Sequence, residues 1–174
     1  MRATTIAAFT ILLSTLQPAA AQDATEIGTY FGAYKGIGVT INAGTRYKVQ
    51  NRDLDVAIAA APNGGFGLTS TVIARGGFIG RSTKRSSHTL VFVPGGQPRL
   101  WRAATSKPIA AGGPTILARL NARGLHVYVM AFDKAGRLHT SVYRRWFRDK
   151  RTMVLVYRRT RSGRNVRGTL WRKK

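Results

Sequence analysis

The sequence predicts an all-β protein, an antiparallel up-and-down β-barrel of about eight to ten strands, and three observations predict it. Glycine-rich turn signals recur along the chain: Pro62-Asn63-Gly64-Gly65, Arg75-Gly76-Gly77, Pro94-Gly95-Gly96-Gln97-Pro98, Ala111-Gly112-Gly113-Pro114, Arg123-Gly124, Asp133-Lys134-Ala135-Gly136, Arg148-Asp149-Lys150 and Ser162-Gly163. Between them, apolar residues tend to return at every second position, the period of a strand with one buried face. The connections are short and none contains a convincing crossover helix, so consecutive strands pair as hairpins. A meander of this many strands gains by closing, because closure removes its exposed edges.

Taken in order, residues 1–21 read as a secretory signal peptide. Met1-Arg2 supplies positive charge, residues 6–16 are mostly apolar, and Ala19-Ala20-Ala21 are small. The apolar run is well short of the ~20 residues a spanning helix needs. The expectation is therefore a periplasmic or secreted protein with no transmembrane segment after cleavage, a short lead over 22–28, and a single barrel domain over 29–174.

Strands are expected at about 29–41, 46–60, 66–75, 87–93, 98–104, 115–120, 124–132, 137–147, 152–160 and 165–172. In the second, Leu54, Val56 and Ile58 alternate with Asp53, Asp55 and Ala57. In the third, Phe66, Leu68, Val72 and Ala74 keep the period and Ser70 interrupts it. Leu90 and Phe92 continue it in the fourth, and Met153, Leu155 and Tyr157 in the ninth. The segment 114–122 reads equally well as a helical turn or a strand. The segment 124–132 is apolar on both faces, with Leu125, Val127 and Val129 on one and His126, Tyr128, Met130 and Phe132 on the other, so that one face can line a cavity.

The chain has no cysteine, which excludes disulfides, thiol nucleophiles, zinc-thiolate sites and iron–sulfur clusters. Its formal net charge is +23, or +22 without Arg2, and residues 134–174 hold fifteen basic residues against the single acid Asp149. Such an excess attracts polyanions and repels itself in the compact state.

The segment Gly32-Ala33-Tyr34-Lys35-Gly36-Ile37-Gly38, opening the first strand, resembles the glycine-x-aromatic-x-glycine start of lipocalin-like (calycin) proteins. In that superfamily the aromatic plugs the closed end of the barrel, a place that would fall to Tyr34. The following order, Arg52-Asp53-Leu54-Asp55-Val56, Gly65-Phe66, Leu125-x-Val127-Tyr128 and Met153-x-Leu155-x-Tyr157-Arg158-Arg159, is similar to small exported lipocalin-like proteins of alphaproteobacteria. The resemblance implies a lumen that holds a small apolar or amphiphilic ligand, with Tyr34, Phe66, Phe92, Tyr128 and Tyr157 as candidate lining. The same start also resembles nitrobindin-like haem barrels, whose iron is held by a histidine near the C-terminus. The histidines here are His88, His126 and His139, none in the last 35 residues, so no haem or other cofactor is expected.

Six acids and three histidines are a thin supply for acid–base or metal chemistry. Asp53 and Asp55 share one strand face, where a hard cation or, more simply, nearby Arg and Lys would meet them. His126 and His139 lie on strands expected to neighbour each other, and would chelate a metal only if they faced the same way. There is no Gly-x-Ser-x-Gly elbow and no phosphate-cradling Gly-Lys-Ser or Gly-Lys-Thr loop. No enzyme and no metal site are expected on these grounds.

The positive candidate is the basic, aromatic C-terminal block. It runs through Arg144, Arg145, Arg148, Lys150, Arg151, Arg158, Arg159, Arg161, Arg164, Arg167 and Arg172, interleaved with Tyr143, Trp146, Phe147, Tyr157 and Trp171. Arginine forks bind phosphate or sulfate in pairs of hydrogen bonds, and aromatic rings supply stacking or anchoring. The sequence thus points to an exported, non-enzymatic binding protein with an occupied lumen. The alternative is a cationic surface that docks onto anionic envelope components: lipopolysaccharide, anionic lipid, acidic glycan or nucleic acid. No base-reading motif is present, so sequence-specific nucleic-acid binding is not expected.

Overall fold

The computed structural model of the chain describes residues 26–42, 48–75, 83–160 and 163–174. The expected signal peptide lies outside them. Ten strands follow in order: β1 Gly32–Asn42, β2 Lys48–Ala61, β3 Gly65–Arg75, β4 Thr83–Pro94, β5 Leu100–Ala103, β6 Thr115–Asn121, β7 Gly124–Phe132, β8 Leu138–Phe147, β9 Thr152–Arg159 and β10 Arg164–Arg172. Every strand pairs antiparallel with its neighbour in sequence, and β1 also pairs with β10, with Tyr34 opposite Arg172 and Gly38 opposite Gly168. The meander therefore closes, and the fold is the predicted all-β barrel. The ambiguous segment 114–122 is strand β6, because Ile116, Ala118 and Leu120 bury one face at the period of two.

Alternation decides which side chains enter the barrel. Along β2 Leu54, Val56 and Ile58 are buried, along β3 Phe66 and Leu68, and along β7 Leu125 and Val127. The register carries these inward rows from strand to strand: Leu54 faces Gly36 on β1 and Val72 on β3, and Val127 faces Ala118 on β6 and Tyr143 on β8.

Three glycines sit where β1 and β10 approach closely. A Cβ on Gly36 would stand 2.0 Å from the Thr169 carbonyl oxygen, and Cβ atoms on Gly38 and Gly168 would stand 2.7 and 2.4 Å from Leu54 Cδ1. Glycine is required there so that Leu54 can lie across the seam.

One end of the barrel is filled. Phe66 stacks on Phe92 with centroids 4.7 Å apart and meets Trp101 edge-on at 5.5 Å. The Trp101 indole donates to the Gly64 carbonyl at 3.0 Å. These rings, each 1% exposed or less, are the tightest part of the core. A helical turn at 26–28 brings Ile27 and Tyr30 over the same end, where the Tyr34 hydroxyl donates to the Tyr30 carbonyl at 2.9 Å. Arg172 locks this plug. Its Nη2 donates to the Thr29 and Phe31 carbonyls at 3.0 and 3.3 Å and to the Tyr34 hydroxyl at 2.9 Å, while its guanidinium lies over the Tyr34 and Phe147 rings.

Candidate functional site

The other end of the barrel is built from different residues on the same strands. Toward it the inward rows lose their large apolar side chains and finish in polar or basic ones. On β2 Leu54 gives way to Arg52, on β4 Leu90 gives way to His88, Ser86 and Lys84, on β9 Leu155 gives way to Tyr157 and Arg159, and on β10 Val166 gives way to Arg164. Between these walls lies a cavity of about 240 Å³. Leu54, Val72, Leu155 and Val166 form its aliphatic side, Tyr143 and Tyr157 its aromatic side, and Arg52, Arg164, His88 and Ser86 its polar side. Tyr143 and Tyr157 sit opposite each other on β8 and β9 with ring centroids 4.7 Å apart. The Arg52 Nε donates to the buried Thr40 hydroxyl, and His88 Nε2 lies 3.0 Å from Ser86 Oγ.

Arg145 lies opposite the cavity residue Leu155 and is not itself among the residues that line the cavity. It is inward-facing on β8, between Phe147 of the plugged end and Tyr143 of the cavity, and is 2% exposed. Its side chain reaches across the barrel to β3, where Nη2 lies 3.4 Å from Ser70 Oγ. Ser70 in turn sits between Leu68 of the core and Val72 of the cavity wall. The guanidinium carbon is 5.7 Å from the Tyr143 ring centre, and Nε and Nη1 have no hydrogen-bond partner. Burial lowers the Arg145 pKa to about 10, which still leaves it a cation at neutral pH. Burial also raises the Tyr143 phenol above its ordinary value, with Tyr157 adding to the effect, so this ring offers no negative charge at neutral pH.

Three of the acids among the described residues are engaged elsewhere. Glu26 pairs with Arg99, and Asp133 pairs with Arg137 at 3.0 Å. Asp149 accepts from the Arg151 and Thr152 amides in the β8–β9 turn. Asp53 and Asp55 share the outer face of β2, with Asp53 opposite the exposed Ile37.

The sequence-predicted lumen residues divide three ways. Tyr157 lines the cavity. Tyr34, Phe66 and Phe92 point inward but are fully buried in the plugged end, so they support the cavity without lining it. Tyr128 is a correction: it points outward, because Leu125 and Val127 take the inward positions of β7. With Asn121, Arg123, His126, Arg144 and Trp146 it lines an open groove on the exterior. His126 sits in that groove with Nδ1 3.2 Å from the Tyr128 hydroxyl. Its pKa is lowered by burial and then by the neighbouring Arg144. His139 occupies the inward row of β8, so the two histidines face opposite sides of the wall and do not converge. No cluster of metal-ligating side chains occurs among the described residues.

The basic block does not form one surface. Arg144, Arg158 and Arg167 point outward, and register places Arg119, His126, Arg144, Val156 and Arg167 in one row across five strands. Arg148, Lys150 and Arg151 lie in the turn at the plugged end, Arg159 and Arg164 at the cavity rim, and Arg172 on the plug. Arg145 is inside the barrel, a correction to its expected place on a polyanion-binding surface, since alternation sends adjacent arginines to opposite faces. Arg161 lies outside the described residues.

The chain is thus a closed ten-strand antiparallel meander with an aromatic plug at one end. In comparison with known proteins, no family model and no curated protein sequence matches the chain. Among solved structures it is similar to the S-type phycobiliprotein lyase CpeS from Guillardia theta, at 10% identity and a TM-score of 0.56 over 89% of this chain and 97% of that one. It also aligns with a DUF1329 family protein from Desulfovibrio piger at 11% identity over 87% of this chain and 90% of that one, with a TM-score of 0.31. The likeness to the lyase is one of fold. It corrects the expectation that the chain is not an enzyme, since the solved structure whose fold it shares is that of a lyase.

Proposed function

We propose that the protein is an exported ligand-binding barrel that holds a small amphiphilic molecule in the open half of its lumen. The observation that carries this reading is the division of the interior. One half is filled by buried aromatic and aliphatic side chains, while the other keeps a cavity of about 240 Å³ with aliphatic, aromatic and cationic sides. A fold that could have filled its centre with side chains leaves room there for something else. Export rests on the three-zone pattern of residues 1–21.

The test is native mass spectrometry of the protein isolated gently from its own source. A stoichiometric small molecule that stays bound in high salt supports the lumen reading. A bare chain, with a Val72→Trp variant that behaves like the wild type towards every added amphiphile, contradicts it.

A second reading has its own observation. The outward row of Arg119, Arg144 and Arg167 runs up to Val39 on β1, beside the exposed Ile37 and Ile41. A cationic band next to an apolar strip suits the surface of an anionic envelope, where charge attracts and aliphatic side chains anchor. This reading predicts co-purification of lipopolysaccharide or anionic lipid that is shed as salt rises. Among the described residues no helix is long and apolar enough to cross a membrane.

A further inference from the structure

Seven large apolar side chains are exposed among the described residues, and four of them share one place: Ile37, Val39 and Ile41 on β1 and Trp171 on β10 stand on the outer face of two paired strands. Register extends this strip around the wall. Ile37 lies level with Thr169 on β10, Val154 on β9 and Trp146 on β8. The row beside it carries Val39, Arg167, Val156 and Arg144, and the next carries Ile41, Asn165, Arg158 and Val142. The outer face of β8, β9, β10 and β1 is therefore aliphatic, aromatic and cationic together, and none of these four strands contains an acid. The opposite face of the barrel is made differently. On β2 the outward positions hold Asp53 and Asp55, and between β3 and β4 hydroxyls pair, Thr69 with Thr89 at 3.0 Å and Thr71 with Ser87 at 2.8 Å. That face suits water, whereas the first holds a clustered apolar surface of the kind that marks an interaction site.

We infer that the outer face of β8, β9, β10 and β1 rests on an anionic phospholipid bilayer, with Arg144, Arg158 and Arg167 among the headgroup phosphates and Ile37, Val39, Ile41 and Trp171 at the acyl boundary. The inference rests on the second reading above and names its partner and the face that meets it. Charge complementarity selects this occupant. A second copy seated face to face would bring the same arginines together with no acid on these strands to meet them, and like charges repel. A soluble polyanion would use the arginines but leave the β1 strip and the Trp171 ring in water. A bilayer surface takes both, because phosphates attract the guanidinium groups while aliphatic and indole side chains enter the interface. The contact is peripheral. A barrel that spans a membrane needs an apolar band on all sides, and the acids and paired hydroxyls of β2, β3 and β4 interrupt such a band.

The experiment is co-sedimentation of the full chain with vesicles of phosphatidylcholine and phosphatidylglycerol, and with vesicles of phosphatidylcholine alone. Three variants are compared with the wild type: Ile37→Ser/Ile41→Ser/Trp171→Ser on the apolar strip, Arg144→Gln/Arg158→Gln/Arg167→Gln on the same face, and Arg85→Gln/Arg102→Gln/Lys107→Gln, which removes as many charges from exposed positions elsewhere. The wild type should bind the phosphatidylglycerol vesicles and let go as salt rises. A basic side chain at an anionic surface is worth roughly fivefold in affinity, so the first arginine variant should bind about ten- to a hundredfold more weakly. The serine variant should also lose about tenfold or more, and the remote variant about threefold at most. Equal losses in the two charge variants, or a serine variant that binds like the wild type, would show a diffuse attraction with no docking face and overturn the inference while the second reading stands. Retention on heparin stronger than on the vesicles and unchanged in the serine variant assigns the arginines to a soluble polyanion, and overturns it as well. A wild type that ignores phosphatidylglycerol vesicles at low salt removes the second reading together with it. All substituted side chains are exposed; should the serine variant nevertheless not fold, Ile37→Ser and Trp171→Ser tested singly decide in its place.

Discussion

The two ends of this barrel are made from the same ten strands and differ in what their inward rows carry. At the plugged end Phe66, Phe92, Trp101, Tyr34 and Tyr30 interlock, and the arginine that packs on the Tyr34 ring, Arg172, spends its donors on two carbonyls and a phenol. At the open end the rows shrink to Val72, Ser86 and Ser70, and Arg145 keeps two of its nitrogens unpaired. The difference teaches how to read an inward arginine. Arg172 is part of the structure because its geometry is complete. Arg145 is buried with two nitrogens that have no hydrogen-bond partner, and its burial is uncompensated.

Breaking the plugged end gives the largest expected effect. Phe66→Ala removes a fully buried ring from the stacked cluster and should cost about 3–5 kcal/mol, read as a lower denaturation midpoint with little change in its slope. The open end should respond with the opposite sign. Arg145→Met replaces an uncompensated buried cation with an apolar chain of similar length and should raise stability by about 1–4 kcal/mol, by analogy with the replacement of buried ion pairs. A loss of stability on thermal or chemical denaturation would show that Arg145 is structurally satisfied. Arg172→Met sharpens the contrast between the two arginines: it strips the plug of its charged donor and should cost about 1.5–3 kcal/mol. The accompanying rise in hydrogen exchange should be confined to residues 26–34. Val72→Ala, on the cavity wall, should cost about 1 kcal/mol, since the removed methyl groups already border open space.

The smallest effect concerns the exterior. The folded-state pKa of His126 is lowered by burial and by Arg144, so the unfolded chain binds the proton more readily. Stability should therefore fall as pH drops from the ordinary histidine value of 6.5 through the lower folded one. Thermal melts between neutral and mildly acidic pH should show this decline, and His126→Gln should flatten it.

Much of the fold was legible because its signals are local. Gly-rich turns and period-two apolar rows placed all ten strands, and the glycine-x-aromatic-x-glycine start placed Tyr34 at the closed end. The site was less legible because facing depends on register, which a single strand does not reveal. On β7 both faces are apolar, so alternation alone does not reveal that Leu125 and Val127 own the inward positions and Tyr128 an outward one. On β8 Arg144 and Arg145 look alike in sequence. The signal that separates them is parity: Arg145 shares its row with Tyr143 and Phe147, both turned inward, whereas Arg144 shares its row with the exterior groove residue Trp146.

The most direct test of the account is an amide chemical-shift map of the full chain titrated with a small neutral amphiphile, 1-octanol. The account predicts that the perturbed amides cluster on the inward rows of the open half, at Leu54, Val72, Tyr143, Leu155, Tyr157 and Val166, with residues 26–34 unmoved. Perturbations along the outward row of Arg119, Arg144 and Arg167, or none at all at saturating 1-octanol, would contradict it.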